Sequence, residues 1–183
     1  MTTHEHGAPG HVHDEACEIA HGDRAVPATD RRLVVVFDAP VARELNRLAE
    51  HLGWSVGTVD PDDARRAALP GAVPLALAGI DATTDVVVCD HDRPELGDVL
   101  AAVLAGPTRW VGVMGSLRHT APHVAALRER GLAEADIARV HRPIGLDIGS
   151  HAPAEIALAT MAGLLADRNG RPGGAYVVPA TGS

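Results

Sequence analysis

An unbroken apolar run, Leu33-Val34-Val35-Val36-Phe37, narrows the fold of this chain more than any other feature. Five apolar residues without alternation do not suit a sheet with one wet face. The run predicts a strand buried on both sides, as in parallel sheets covered by helices. Val86-Val87-Val88 repeats the signal within a strand over residues 85–89. Between these runs the period changes. Residues 41–52 place Val41, Leu45, Leu48, Ala49 and Leu52 on one stripe and stop at Gly53, as a helix with a left-handed end does. Further strands are expected over 54–59, 73–77 and 109–113. Helices are expected over 95–104, 120–130 and 153–168, the last with Ile156, Leu158, Ala159, Ala162 and Leu165 turned inward. Residues 132–140 read as a short helical turn. Repeated strand–helix units joined by short loops predict a three-layer α/β domain, its mostly parallel sheet covered by helices on both faces.

Composition agrees and excludes several functions. With two Trp, one Tyr and one Phe, the core must be aliphatic. All sixteen basic residues are Arg, which removes Schiff-base lysine chemistry and a Walker A loop. A net charge of −8 argues against nucleic acid, since no basic stripe is available to displace counterions from phosphates. Cys17 and Cys89 are too few for a disulfide framework. The polar N-terminus has no signal-like apolar region, and no stretch approaches the roughly 20 apolar residues of a membrane span. The expected location is cytoplasmic. Residues 1–32, rich in Gly, Pro and His, read as a disordered tail, residues 33–170 as the domain, and residues 171–183 as a flexible end in which 175–178 could add an edge strand.

In such a sheet, ligands bind beyond the carboxyl ends of the strands. After the first strand a dinucleotide site would carry Gly-x-Gly-x-x-Gly. Phe37-Asp38-Ala39-Pro40 stands there instead, with a carboxylate where phosphates would sit and a proline in place of an amide donor. Asp60 is placed for a ribose hydroxyl or is a plain strand-end Asp. Gly115-Ser116-Leu117-Arg118 offers free amides, a hydroxyl and a guanidinium to an anion, or is a turn with Ser116 or Thr120 as the next helix cap. In Pro143-Ile144-Gly145-Leu146-Asp147-Ile148-Gly149 the glycines imply close backbone approach, to a ligand or to another strand.

From Trp110 to about Gly170 the sequence resembles the C-terminal Rossmann domain of the XdhC/CoxI family, accessory proteins of xanthine dehydrogenase and carbon monoxide dehydrogenase. The resemblance rests on Val111-Gly112-Val113-Met114-Gly115-Ser116, on Pro143 to Gly149, and in part on Pro153-Ala154-Glu155-Ile156-Ala157. Leu52-Gly53-Trp54, Val59-Asp60 and His91-Asp92 are also similar. It implies a Rossmann-like domain that helps to deliver or sulfurate molybdenum cofactor, as molybdopterin or its dinucleotide, for a hydroxylase client. Ser116 and Arg118 would contact the anion, Gly145, Asp147 and Gly149 would shape the pocket, and His91 and Asp92 would stand at its rim. A cysteine desulfurase, or a separate chain carrying the family's N-terminal domain, would be a further partner, and a homodimer is left open. Family members usually carry Gly-Ala-Gly-His after the first strand, which Asp38-Ala39-Pro40 replaces here.

Two rival readings belong beside this one. A Rossmann-type oxidoreductase using NAD(P) is motivated by Asp60 and disfavoured by the missing glycines. Metal delivery is motivated by His4, His6, His11, His13, Cys17 and His21, a ligand-rich tail with no apolar scaffold, for which weak adventitious metal affinity is the expectation. Cys89 reads as a buried small hydrophobe, and Asp90-His91-Asp92 as solvated loop charges without an assignable nucleophile.

Overall fold

The structure, a computed structural model, describes residues 14–115 and 121–174. Five strands, β1 (Arg32–Val36), β2 (Ser55–Val59), β3 (Thr84–Val88), β4 (Trp110–Val113) and β5 (Val140–His141), form one sheet in the order β2-β1-β3-β4-β5. All four pairings are parallel. The apolar runs explain the layers. Val34, Val36, Val86, Val88, Val111 and Val113 face one way, onto α4 (Leu96–Leu104) and α5 (Pro122–Glu129). Leu33, Val35, Val87, Cys89 and Met114 face the other way, onto α2 (Pro40–His51) and α7 (Pro153–Arg168). Because alternate residues serve opposite faces, every position of β1 from Leu33 to Val36 must be apolar, and all four are fully buried.

The first strand begins at Arg32, where the sequence places the end of a tail, and a short helix α1 (Glu15–His21) precedes it. Asp14 caps α1 through its carboxylate and Gly22 ends it at φ +81°, local signals that are satisfied although none of its residues is buried. The strand expected over 73–77 shrinks to one bridge between Val73 and Val59, followed by a 3-10 turn at Leu75–Leu77. Pro74 is the reason, because it has no N–H for the next ladder bond. Between α3 (Asp63–Ala67) and α7 the other additions are α6 (Glu134–Ile137) and β5, both within 132–140, which therefore is more than a helical turn. The inward stripe of α7 is also rotated from expectation. Ala157, Ala159, Thr160, Met161 and Leu164 are buried, while Leu158 is 55% exposed. Small residues set that face because a loop lies directly on the helix, as shown below.

Opposite the carboxyl ends of the strands, a buried charge network fixes the end of α7. The Asp85 carboxylate, fully buried, accepts from Arg109 Nε at 2.5 Å and Arg168 Nε at 2.7 Å. Arg109 also donates to Asp167 at 2.6 Å, and the Arg168 guanidinium lies 4.9 Å from the Trp54 ring centre. Removing one side of such a buried pairing leaves an uncompensated charge and is strongly destabilising.

Candidate functional site

The order β2-β1-β3 reverses direction between β1 and β3, so the crevice outside their carboxyl ends is the topological switch point. Ladder bonds continue past the strands here: Phe37 N–H donates to Val59, Cys89 N–H to Val36, and Met114 N–H to Val88. These bonds carry Asp38, Asp90 and Gly115 onto one rim.

The turn after β1 adopts the backbone of a glycine turn without a glycine. Phe37 has φ +67°, alone among the non-glycine residues described, at a cost of roughly 1–2 kcal/mol. Its ring is fully buried, with the Arg65 guanidinium 5.9 Å from its centre. Asp38 follows and is gripped by Arg43 through two guanidinium nitrogens, Nε at 2.9 Å. Across the switch point, Asp90 accepts from the Asp92 N–H at 3.0 Å and pairs with Arg93 at 2.7 Å. Cys89 is buried between these carboxylates, and burial first, then Asp38 and Asp90, push its thiol well above the ordinary thiol range. Burial and that upward shift disfavour the thiolate that a nucleophile needs. His91 stands 3.7 Å from Asp92, which is largely exposed. A pyrophosphate does not fit this turn: its place is acidic and Pro40 begins the helix.

Asp60 is not free for a ribose. Only 1% exposed, its carboxylate takes Arg65 Nε at 2.9 Å from both oxygens and the Asp62 N–H at 3.0 Å, and Arg65 continues to Glu95 at 2.7 Å. The strand-end alternative holds. Asp60 fastens the β2–α3 corner to the start of α4.

The two motifs that carry the resemblance do meet. β4 and β5 pair in parallel, Gly112 opposite His141, so their following loops leave on the same rim. A Cβ on Gly112 would strike the Trp110 ring and Ile144. A Cβ on Gly115 would strike the Arg142 guanidinium, 2.8 Å from Cζ. Gly112 is therefore a cradle for Ile144 of the second motif, and Gly115 for Arg142, which immediately precedes it. Arg142 is the cation that the sequence reading missed, although its place before Pro143-Ile144-Gly145 marks it as a strand-end basic residue. Its charge also acts on His123 in α5. His123 is buried, its Nδ1 has no hydrogen-bond partner among the described residues, and burial followed by Arg142 holds its pKa below the ordinary histidine range.

Gly145 resolves differently. At φ +88° it passes α7 so closely that a Cβ would lie 3.0 Å from the Ala159 carbonyl carbon, and Leu146 N–H donates to Ala159 O at 3.0 Å. The neighbour that requires this glycine is a helix. Gly149, at φ +68°, has nothing within 4 Å, so its requirement is conformational. Asp147 is exposed and has no hydrogen bond or ion pair among the described residues. Ser116 and Arg118 lie outside the described residues. The cap of α5 is Ala121, with no side-chain bond, in place of Ser116 or Thr120. Of the ligand-rich tail, His4, His6, His11 and His13 lie outside the described residues, while Cys17 and His21 sit on α1. No group of three His, Cys, Asp or Glu side chains placed for a metal occurs among the described residues. No described helix is long and apolar enough to cross a membrane.

Comparison with known proteins matches this architecture. The chain is 29% identical over 158 residues to YqeB, an uncharacterized protein of Escherichia coli K12, an alignment that takes 81% of this chain and 29% of YqeB. The chain thus spans less than a third of that curated relative. A Bacillus halodurans structure described as a xanthine dehydrogenase superimposes with a TM-score of 0.61 at 20% identity, over 78% of this chain and 44% of that one, a likeness of fold. The family model of the XdhC Rossmann domain matches residues 33–164, from β1 into the last turns of α7. The chain belongs to the XdhC Rossmann domain family.

Proposed function

We propose that this chain is a binding module in the maturation of a molybdenum hydroxylase of the xanthine dehydrogenase or carbon monoxide dehydrogenase type. It engages molybdenum cofactor, as molybdopterin or its dinucleotide, through the phosphate. The observation that carries this reading is the meeting of Gly115 and Arg142 on the carboxyl rim of the sheet. A guanidinium seated on a glycine strand end brings positive charge to this rim, where an anion could meet it. The acidic turn after β1 repels the same group, so the phosphate site lies on the β4–β5 side of the rim. When bound, the molybdenum centre supplies the redox chemistry of the client. This chain supplies a guanidinium seated on Gly115 and a rim carrying His91 and Asp92.

Cys89 does not fit a persulfide carrier, so sulfuration falls to a cysteine desulfurase or to a partner bearing the family's other domain. Native mass spectrometry of freshly isolated protein, with affinity capture from cells expressing a hydroxylase, tests the reading. A retained phosphorylated pterin or a captured hydroxylase is expected. Bare protein together with no hydroxylase in the eluate would contradict it.

A further inference from the structure

Cys17 and His21 stand four residues apart on α1, so their side chains leave the same face one turn apart, with Cβ atoms roughly 5–6 Å from each other. Cys17 is partly exposed and His21 is exposed. The helix that carries them is short of support. Its caps are in place, Asp14 at one end and Gly22 at the other, but it has seven residues and buries none of them. Helices shorter than about 12–15 residues are marginal in water without packing. Arg24 pairs with Glu15 at 3.1 Å and with Glu18 at 3.9 Å, but these pairs lie in solvent, where such contacts contribute little.

We propose that Cys17 and His21 form a two-point chelate for a zinc-class divalent cation, and that the bound ion staples α1. A thiolate with an imidazole nitrogen is a donor set such ions take, at about 2.3 Å and about 2.0–2.1 Å. Around a tetrahedral ion these bond lengths set the two donor atoms roughly 3.5 Å apart, a span that side chains at i and i+4 reach. The same helical spacing places the two zinc-binding histidines of the His-Glu-x-x-His motif. In the sequence these ligands lack a scaffold, and α1 provides one for two of them. Binding replaces the thiol proton of Cys17 by the metal, so a proton is released as the ion enters. The ion's other positions are open to water or to further imidazoles. The helix precedes residues 33–164, which the family model matches, so the site is separate from the family's domain and from the rim at Arg142.

The test is a Co²⁺ titration of the reduced, untagged full chain, read by the thiolate-to-cobalt charge-transfer absorption, with Zn²⁺ added in competition. Saturable binding that Zn²⁺ displaces is expected, with a Kd on the order of 10 μM for two protein ligands where structural sites have four. The far-ultraviolet helix signal should rise as the ion binds. Cys17→Ser should abolish the absorption, and His21→Ala should weaken binding roughly tenfold or more. Glu18→Pro keeps both ligands but removes the bond from Glu18 N–H to Asp14 O, 3.1 Å long, and should weaken binding by a similar factor. None of these three residues is buried, so each variant should keep the Tm of the parent. Replacing His4, His6, His11 and His13 together by alanine should leave the absorption in place, with Kd within about threefold. No saturation, equal affinity in the parent and Glu18→Pro, or absorption lost with the four earlier histidines would overturn the site, the last two outcomes leaving adventitious metal affinity only. None of these outcomes depends on whether Arg142 binds phosphate.

Discussion

Gly145 and Gly163 meet without side chains: a Cβ on Gly163 would lie 3.0 Å from the Gly145 Cα. The contact seats the loop after β5 on α7 and so fixes where Arg142, three residues earlier, meets the rim. Gly163→Val should destabilise the protein by about 1–3 kcal/mol through overpacking, measured by urea unfolding. Gly145→Ala should cost at least as much, because its φ of +88° adds strain to the crowding.

Asp85 holds two guanidinium groups in a buried position. Asp85→Ala leaves Arg168 without its carboxylate partner and Arg109 with Asp167 alone, and a loss of about 3–5 kcal/mol is expected in the same assay. An unfolding midpoint within error of the parent would show that the network contributes nothing.

His123 gives stability a pH dependence of definite sign. Its folded-state pKa is depressed, so below the ordinary value of 6.5 the unfolded chain takes up a proton that the folded chain resists. The contribution is complete above pH 6.5 and is lost as pH falls from there toward the depressed value. His123→Gln should flatten the fall in Tm between pH 6.5 and 5. A parallel curve for parent and variant would be inconsistent with the burial of this ring.

The two thiols should separate cleanly. Native protein treated with a thiol reagent at pH 8 should lose Cys17, which is partly exposed on α1, and keep Cys89, which is buried between Asp38 and Asp90. Cys89 should react only after unfolding. Rapid labelling of both in the native state would contradict the packing of the switch point.

Much of this architecture is legible in the sequence because its signals are local. Val34 to Val36 must be buried on both faces whatever surrounds them, and α7 runs from Pro153 to Arg168 as its period and prolines require. Other features depend on partners far along the chain. Nothing near Asp60 reveals that the Arg65 holding its carboxylate will reach on to Glu95, and nothing near Gly145 says that its close neighbour is Gly163 of a helix, where a ligand or another strand was expected. β5 escapes a periodicity reading because two residues carry no period. Leu158 faces outward because the loop over α7 demands small residues beneath it, a requirement set by packing and invisible to hydropathy. The convergence of the two family motifs was legible as an expectation, while the cation that joins them, Arg142, needed coordinates.

The account rests on the rim between β4 and β5 as the seat of an anion. Equilibrium binding of molybdopterin to the parent chain, to Arg142→Ala and to Gly115→Ala tests it most directly. Saturable binding to the parent, weakened roughly tenfold or more by Arg142→Ala and also reduced by Gly115→Ala, whose methyl displaces the guanidinium, is the predicted result. Binding to the parent that neither substitution weakens, or no binding to the parent at all, would contradict it.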